Sequence, residues 1–191
     1  MHHIYTTPAI IVKSSALGEA NKIYFLLTED LGFIRATAQG VRFSKSKLKG
    51  HLRDFSLINV SLVKGKEFWR ITNAETESRL SLKDDLGKIS VIKNIFSLIL
   101  RLVHGEEKNE NLFYAVRNLH DFLFSNDEKH LKNAEAITVL RVLHHLGYLR
   151  KNAETEKFLD LQLSPDILEL FEGVKKGAIK EINEALKETH L

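Results

Sequence analysis

With 191 residues, 43% of them hydrophobic, the chain carries enough apolar material for a packed core in one large or two small domains, which excludes disorder as the default. It contains no cysteine, and so no disulfide framework, no thiol nucleophile and no zinc site built on thiolates. The net charge is only +3, but residues 1–76 hold eleven Lys/Arg against six Asp/Glu while the remainder is slightly acidic, so the basic character sits in the first two-fifths of the chain.

From Ala9 to about Glu75 the pattern is strand-like. Five runs are predicted, at Ala9 to Lys13, Lys22 to Thr28, Phe33 to Gly40, Phe55 to Lys64 and Glu67 to Ala74. The fourth alternates with period two: Ile58, Val60 and Leu62 share one face, Asn59 and Ser61 the other. Gly18, Asp30-Leu31-Gly32, Gly40, Gly50 and Lys64-Gly65-Lys66 supply the turns. The gap from Val41 to Asp54 is longer and polar. Five strands with one long connection after the third suit a Greek-key oligonucleotide/oligosaccharide-binding (OB) barrel, with an SH3-like barrel as the alternative.

Beyond Glu77 the period becomes helical, with Glu77 to Lys88 as the expected connector. Ile92, Ile95, Phe96, Ile99 and Val103 form a stripe that Val91, Leu98 and Leu102 widen, as in a buried central helix. Leu112, Phe113, Val116, Leu119, His120 and Leu123 predict a second helix, and Ala136, Val139, Leu140, Leu143 and Leu146 a third that stops at Gly147. Ser164-Pro165 reads as an N-cap with proline in the first turn, and a charged helix follows from about Lys175. The expected fold is α+β: an N-terminal five-stranded OB-fold β-barrel over residues 1–76, then an α-helical bundle domain over residues 77–191.

Residues that carry chemistry are scarce. The chain has no P-loop, G-x-G-x-x-G, H-E-x-x-H or calcium loop. His144 and His145 are adjacent, so on a helix they point about 100° apart and do not converge on a metal. Ser44-Lys45-Ser46-Lys47 matches S-x-x-K, but the K-T-G partner of that motif is missing. The expectation is a protein that is not an enzyme and that needs no metal or other cofactor. With no apolar run of eighteen residues and no export signal at the N-terminus, a cytoplasmic location is expected.

The informative feature is a charge run. No acidic residue lies between Asp30 and Asp54, while Arg35, Arg42, Lys45, Lys47, Lys49 and Arg53 are cationic. Lys66 and Arg70 flank Trp69 just beyond. Such a run is either a solvated loop or a phosphate track, and its place in an OB connector favours the track. Phe43, Phe55, Phe68 and Trp69 lie near it; Phe55 and Phe68 are expected in the barrel core, and Trp69 either as a base-stacking platform or in a half-buried strand site.

Several blocks resemble a known family. Tyr5-x-Thr7-x-Ala9-Ile10-Ile11-Val12-Lys13, Gly18-Glu19-x-x-Lys22-Ile23, Gly32-Phe33-Ile34-x-Ala36-x-Ala38-x-Gly40, Arg42-x-Ser44-Lys45-Ser46-Lys47-Leu48 and Lys64-Gly65-Lys66-Glu67-x-Trp69-x-Ile71 are similar in order and spacing to the RecO recombination mediators of bacteria. Leu140-Arg141-Val142-Leu143-x-x-Leu146-Gly147-Tyr148 resembles that family's helical-domain motif. The resemblance implies an OB fold with a helical domain, binding of single- and double-stranded DNA, annealing of complementary strands, association with RecR and with the C-terminal tail of single-stranded-DNA-binding protein (SSB), and help in loading the RecA recombinase during recombinational repair in the cytoplasm, associated with the nucleoid. Many members carry a four-cysteine zinc module after the Leu-Gly-Tyr motif, and no cysteine is present here, so a zinc requirement does not carry over.

The expected DNA-binding residues are Arg35, Arg42, Lys45, Lys47, Lys49, Arg53, Lys66, Trp69 and Arg70. An acidic SSB tail ending in an apolar residue needs an apolar notch rimmed by cations, for which Arg117 and Arg141 are the candidates; the alternative is that both cover the rim of the bundle with their alkyl stems. Competing functions are a helical protein-interaction adaptor and an RNA-binding OB-fold protein.

Overall fold

The computed structural model describes residues 3–79, 85–124, 129–150 and 152–188. The chain divides into two compact units: Met1–Leu80 with His104–Phe113, and Ser81–Val103 with Tyr114–Leu191.

The first unit is a five-stranded closed barrel in the order β1-β2-β3-β5-β4, from β1 (Ile4–Leu17), β2 (Asn21–Thr28), β3 (Gly32–Ala38), β4 (Ser56–Lys64) and β5 (Trp69–Arg79). All pairings are antiparallel except β3 with β5, where Ala36 faces Trp69 and Thr37 faces Arg70 in parallel. This is the OB-fold barrel, not the SH3-like alternative.

β1 is far longer than its apolar run because it is shared. Ile4 to Ile10 pair with β4, Ala9 to Leu17 pair with β2, and the register shifts between Ile11 and Lys13. Such a bulge bends the strand, as closing a small barrel requires. The polar ends of β1 hide this from a hydrophobicity reading. The barrel core is filled by Ala9, Ile11, Tyr24, Leu26, Ile34, Ala36, Ile58, Val60, Leu62, Trp69 and Ile71 among others, with the small Ala36 and Ala38 contributed by β3.

The second unit is helical: α1 (Leu86–Leu102), α2 (Glu110–Phe124) from Tyr114 onward, α3 (Leu131–His145), α4 (Lys157–Asp160), α5 (Pro165–Glu172) and α6 (Lys175–Glu188). β5 runs to Arg79 and α1 starts at Leu86, so the expected connector is shorter than Glu77 to Lys88, and residues 80–84 lie outside the described ones. α1 keeps Lys93, Asn94 and Ser97 exposed. The central helix is α3, which packs on α1, α4, α5 and α6. Its buried face includes Asn133, Thr138 and Arg141, polar residues that disguise it in the sequence.

Capping follows the sequence closely. Gly147 has φ +80°, the Gly147 N–H donates to His144 O at 2.9 Å and the Tyr148 N–H to Leu143 O at 2.9 Å, which is a Schellman stop for α3. Ser164 Oγ accepts from the Ile167 N–H and Pro165 opens α5. Among the described residues no helix is long and apolar enough to cross a membrane.

Candidate nucleic-acid interface

The connection between β3 and β4 is an ordered plug. Val41 and Leu52 are buried in the barrel core, and Leu48 packs against it. Gly40, at φ +64°, turns the chain out of β3, and its N–H donates to Asn21 Oδ1 at 2.9 Å. The Arg42 N–H donates to Ala20 O, and Arg42 Nη1 to Gly18 O at 2.6 Å, which pins the start of the connector to the β1–β2 turn. A 3₁₀ turn spans Lys47–Gly50. Beyond it, the Thr76 N–H donates to His51 Nδ1 at 3.2 Å, so the connector ends against β5.

With the apolar side chains drawn inward, the cations face out. Arg35, Arg42, Lys45, Lys47, Lys49, Arg53, Lys66 and Arg70 are all exposed, and among the described residues none is ion-paired. Asp54, the acidic residue that closes the run, is half-buried.

The expected stacking platform is absent at Trp69. Its side chain is 4% exposed, a member of the barrel core, with Tyr5 edge-on at 5.3 Å and Lys64 Nζ 5.3 Å from its ring centre. Its Nε1–H donates to Glu106 Oε1 at 3.0 Å. The indole is enclosed by these contacts and offers no free face to a base.

Phe55 and Phe68 depart from expectation in the other direction, being half-buried and outside the barrel core. Arg35 stands 5.4 Å over the Phe68 ring, Phe25 pairs with Arg35 across β2 and β3, and Phe33 lies 6.3 Å from Phe25. The outer face of these two strands therefore carries partly exposed aromatics beside a cation. Alternation of Phe25 with Tyr24 and Leu26, and of Phe33 and Arg35 with Ile34 and Ala36, was the signal for it in the sequence.

The two tail-binding candidates separate. Arg141 is 2% exposed, and its guanidinium donates to Phe158 O at 2.7 Å, to Asn118 Oδ1 at 2.8 Å and to Leu161 O. Burial lowers its pKa to about 10, against which Asp160 acts in the opposite sense. It cross-links α2 and α3 to the segment around α4 and presents no charge to a partner. Arg117 is only partly exposed, with Asp121 one turn away at 3.9 Å.

Residues 1–80 match the family described as "Recombination protein O N terminal". The barrel is similar to the N-terminal part of RecO proteins. A protein named "DNA repair protein RecO" from Dehalococcoides mccartyi is 38% identical over 112 residues, 58% of this chain and 44% of the relative. One of the same name from Gloeothece citriformis is 35% identical over 121 residues, covering 63% of this chain and 42% of the relative. Another from Nostoc sp. is 28% identical over 210 residues, 96% of this chain and 69% of the relative, so the similarity to RecO proteins extends through the helices. The chain spans less than half the length of the first two relatives.

Proposed function

We propose that this protein is a DNA-binding factor of recombinational repair that acts on DNA by binding and annealing rather than by catalysis. The observation that carries this reading is the set of eight exposed cations without ion-pair partners on and beside the barrel connector. Phosphates repel one another over a Debye length of about 8–10 Å at moderate salt, and a fixed array of Lys and Arg lowers that repulsion between two strands while leaving bases free to pair. The Phe25, Phe33 and Phe68 face supports a base-contacting role beside the phosphate track. The division of labour we infer is a DNA-binding barrel over residues 1–76 and a helical domain over residues 77–191 that meets protein partners. By its likeness to RecO proteins, the reading extends to RecR, to the SSB tail and to help in loading RecA on SSB-coated DNA in the cytoplasm. With Arg141 buried, Arg117 is the remaining candidate for the tail.

The test is a salt titration with an annealing assay. If about six phosphates are neutralised, log K for single-stranded DNA falls against log salt with a slope of roughly −4, and changing Lys45, Lys47 and Lys49 together to Gln flattens it by about two units. An unchanged slope in the triple variant sinks the connector as the DNA site. Competition by RNA of equal length separates this reading from an RNA-binding one, and failure to bind either nucleic acid leaves a protein-interaction adaptor.

A further inference from the structure

We infer that Phe43 is the residue with which the connector selects unpaired bases, a role that rests on the DNA-binding reading above and goes one step beyond it. Phe43 is 61% exposed, the most exposed aromatic among the large hydrophobics of the described residues. It stands between Arg42 and Lys45, with Lys47 four residues on. Exposing a phenyl ring there costs solvation without any return from the fold, since the inward positions of the connector are Val41, Leu48 and Leu52.

The ring is nevertheless held. The Phe43 N–H donates to Gly40 O at 3.1 Å, the Ser46 N–H donates to Phe43 O at 3.2 Å, and the Arg42 N–H donates to Ala20 O at 3.0 Å, so the backbone on both sides is tied. The ring lies beside Gly40, close enough that a Cβ added there would stand 3.5 Å from Phe43 Cδ2. A glycine at this place serves the turn, whose φ is +64°. A positioned aromatic loses little conformational freedom when a base lands on it, and flanking cations meet the phosphates on either side of that base.

A base inside a duplex already has both faces covered by its neighbours, whereas a base in a single strand has a face to offer. The Lys and Arg array does not distinguish the two, because both present phosphates. Phe43 supplies the distinction, and thereby favours gapped or frayed DNA over closed duplex.

The experiment measures binding to a fluorescein-labelled thymidine oligonucleotide and to a hairpin duplex closed at one end and capped at the other, by anisotropy at fixed salt. The proteins compared are wild type, Phe43→Ala, Phe43→Leu, Phe43→Trp and the Lys45, Lys47, Lys49 to Gln triple variant, each checked by circular dichroism. Phe43→Ala and Phe43→Leu are expected to weaken single-strand binding roughly 5- to 150-fold, the range for losing one stacked base, with duplex binding within about twofold of wild type. Phe43→Trp is expected to keep single-strand affinity and to show emission, in difference from wild type, that the oligonucleotide quenches. Wild-type single-strand binding in Phe43→Ala, alongside a weakened triple variant, overturns the stacking role and leaves the connector reading standing. Equal losses on single strand and duplex overturn selectivity. A triple variant that binds both as wild type does removes the connector reading and this inference with it.

Discussion

The indole N–H of Trp69 and the carboxylate of Glu106 meet at 3.0 Å across 37 residues of sequence, which makes an acidic residue of the segment after α1 part of the barrel unit's closure. Glu106 also lies 3.4 Å from Lys64 Nζ, and Lys108 on the same segment reaches Asp30 at 3.2 Å. The segment His104–Phe113 is thus laced to the barrel at two places.

The first prediction concerns this contact. Trp69→Ala removes a buried indole and is expected to destabilise the barrel by about 3–5 kcal/mol, whereas Glu106→Ala, which costs one hydrogen-bond acceptor, is expected to lose about 1 kcal/mol. Urea unfolding followed by circular dichroism reads both. A Trp69→Ala protein as stable as wild type, with weaker DNA binding, would restore the stacking role.

Two glycines with similar backbone angles give the second. Gly18 and Gly32 have φ of +66° and +70°, but a Cβ at Gly18 meets nothing within 4 Å, while one at Gly32 would stand 2.1 Å from Glu107 O. Gly18→Ala is expected to cost about 1–2 kcal/mol from the left-handed conformation alone. Gly32→Ala adds a backbone collision and is expected to cost visibly more, with a lower melting temperature. Equal losses at the two sites would mean that the 104–113 segment does not press on the start of β3.

Arg141 carries the third. Arg141→Ala strands the buried carbonyl of Phe158 and removes the donor from the part-buried Leu161 carbonyl and Asn118 Oδ1, and at about 1–3 kcal/mol for an unsatisfied buried group, with the smaller loss of the other two bonds added, the helical unit is expected to lose about 3 kcal/mol. Arg117→Ala, at a partly exposed site, is expected to shift stability by less than about 1 kcal/mol. Chemical denaturation of the two variants decides, and a mild Arg141 variant would contradict the cross-link.

The fourth is a pH dependence. The Tyr24 hydroxyl is buried and has no hydrogen-bond partner among the described residues, and burial, then the charge of Asp54, raises its pKa from 10.0 to about 12. Between those values the unfolded chain loses the phenol proton and the folded one keeps it, so the stability this group supplies is complete below pH 10 and is lost as pH rises toward 12. A two-unit gap corresponds to at most about 2.7 kcal/mol. Tyr24→Phe is expected to be near neutral at pH 7 and to flatten the alkaline loss measured by urea unfolding at pH 9 and pH 11. The same slope in both proteins would assign the loss to other groups.

The five strands, their closure and the outward cations were legible because each rests on local signals: β-rich runs, turn glycines and an unbroken stretch without acid. Gly147 and Ser164-Pro165 announced their helix ends for the same reason. What stayed hidden depends on partners distant in sequence. Trp69 reads alike in a core or on a face until Glu106 is brought to it, and Arg141 looks like a rim cation until the carbonyls of Phe158 and Leu161 close around it. The connector looked simply polar because its three anchors, Val41, Leu48 and Leu52, are spaced seven and four residues apart, a rhythm that follows the barrel mouth rather than any strand.

Because the barrel unit includes His104–Phe113, its assembly on the ribosome has an ordering problem. All five strands emerge before the segment that caps Trp69 and meets Gly32. At roughly 5–20 residues per second, the 37 residues from Trp69 to Glu106 take about 2–7 s to appear. During that interval the nascent barrel has its strands but not its last acceptor, and α1 must be made before the chain returns to finish what the N-terminus began. Translation speed through the first helix therefore sets how long a half-stoppered barrel is exposed to the cell.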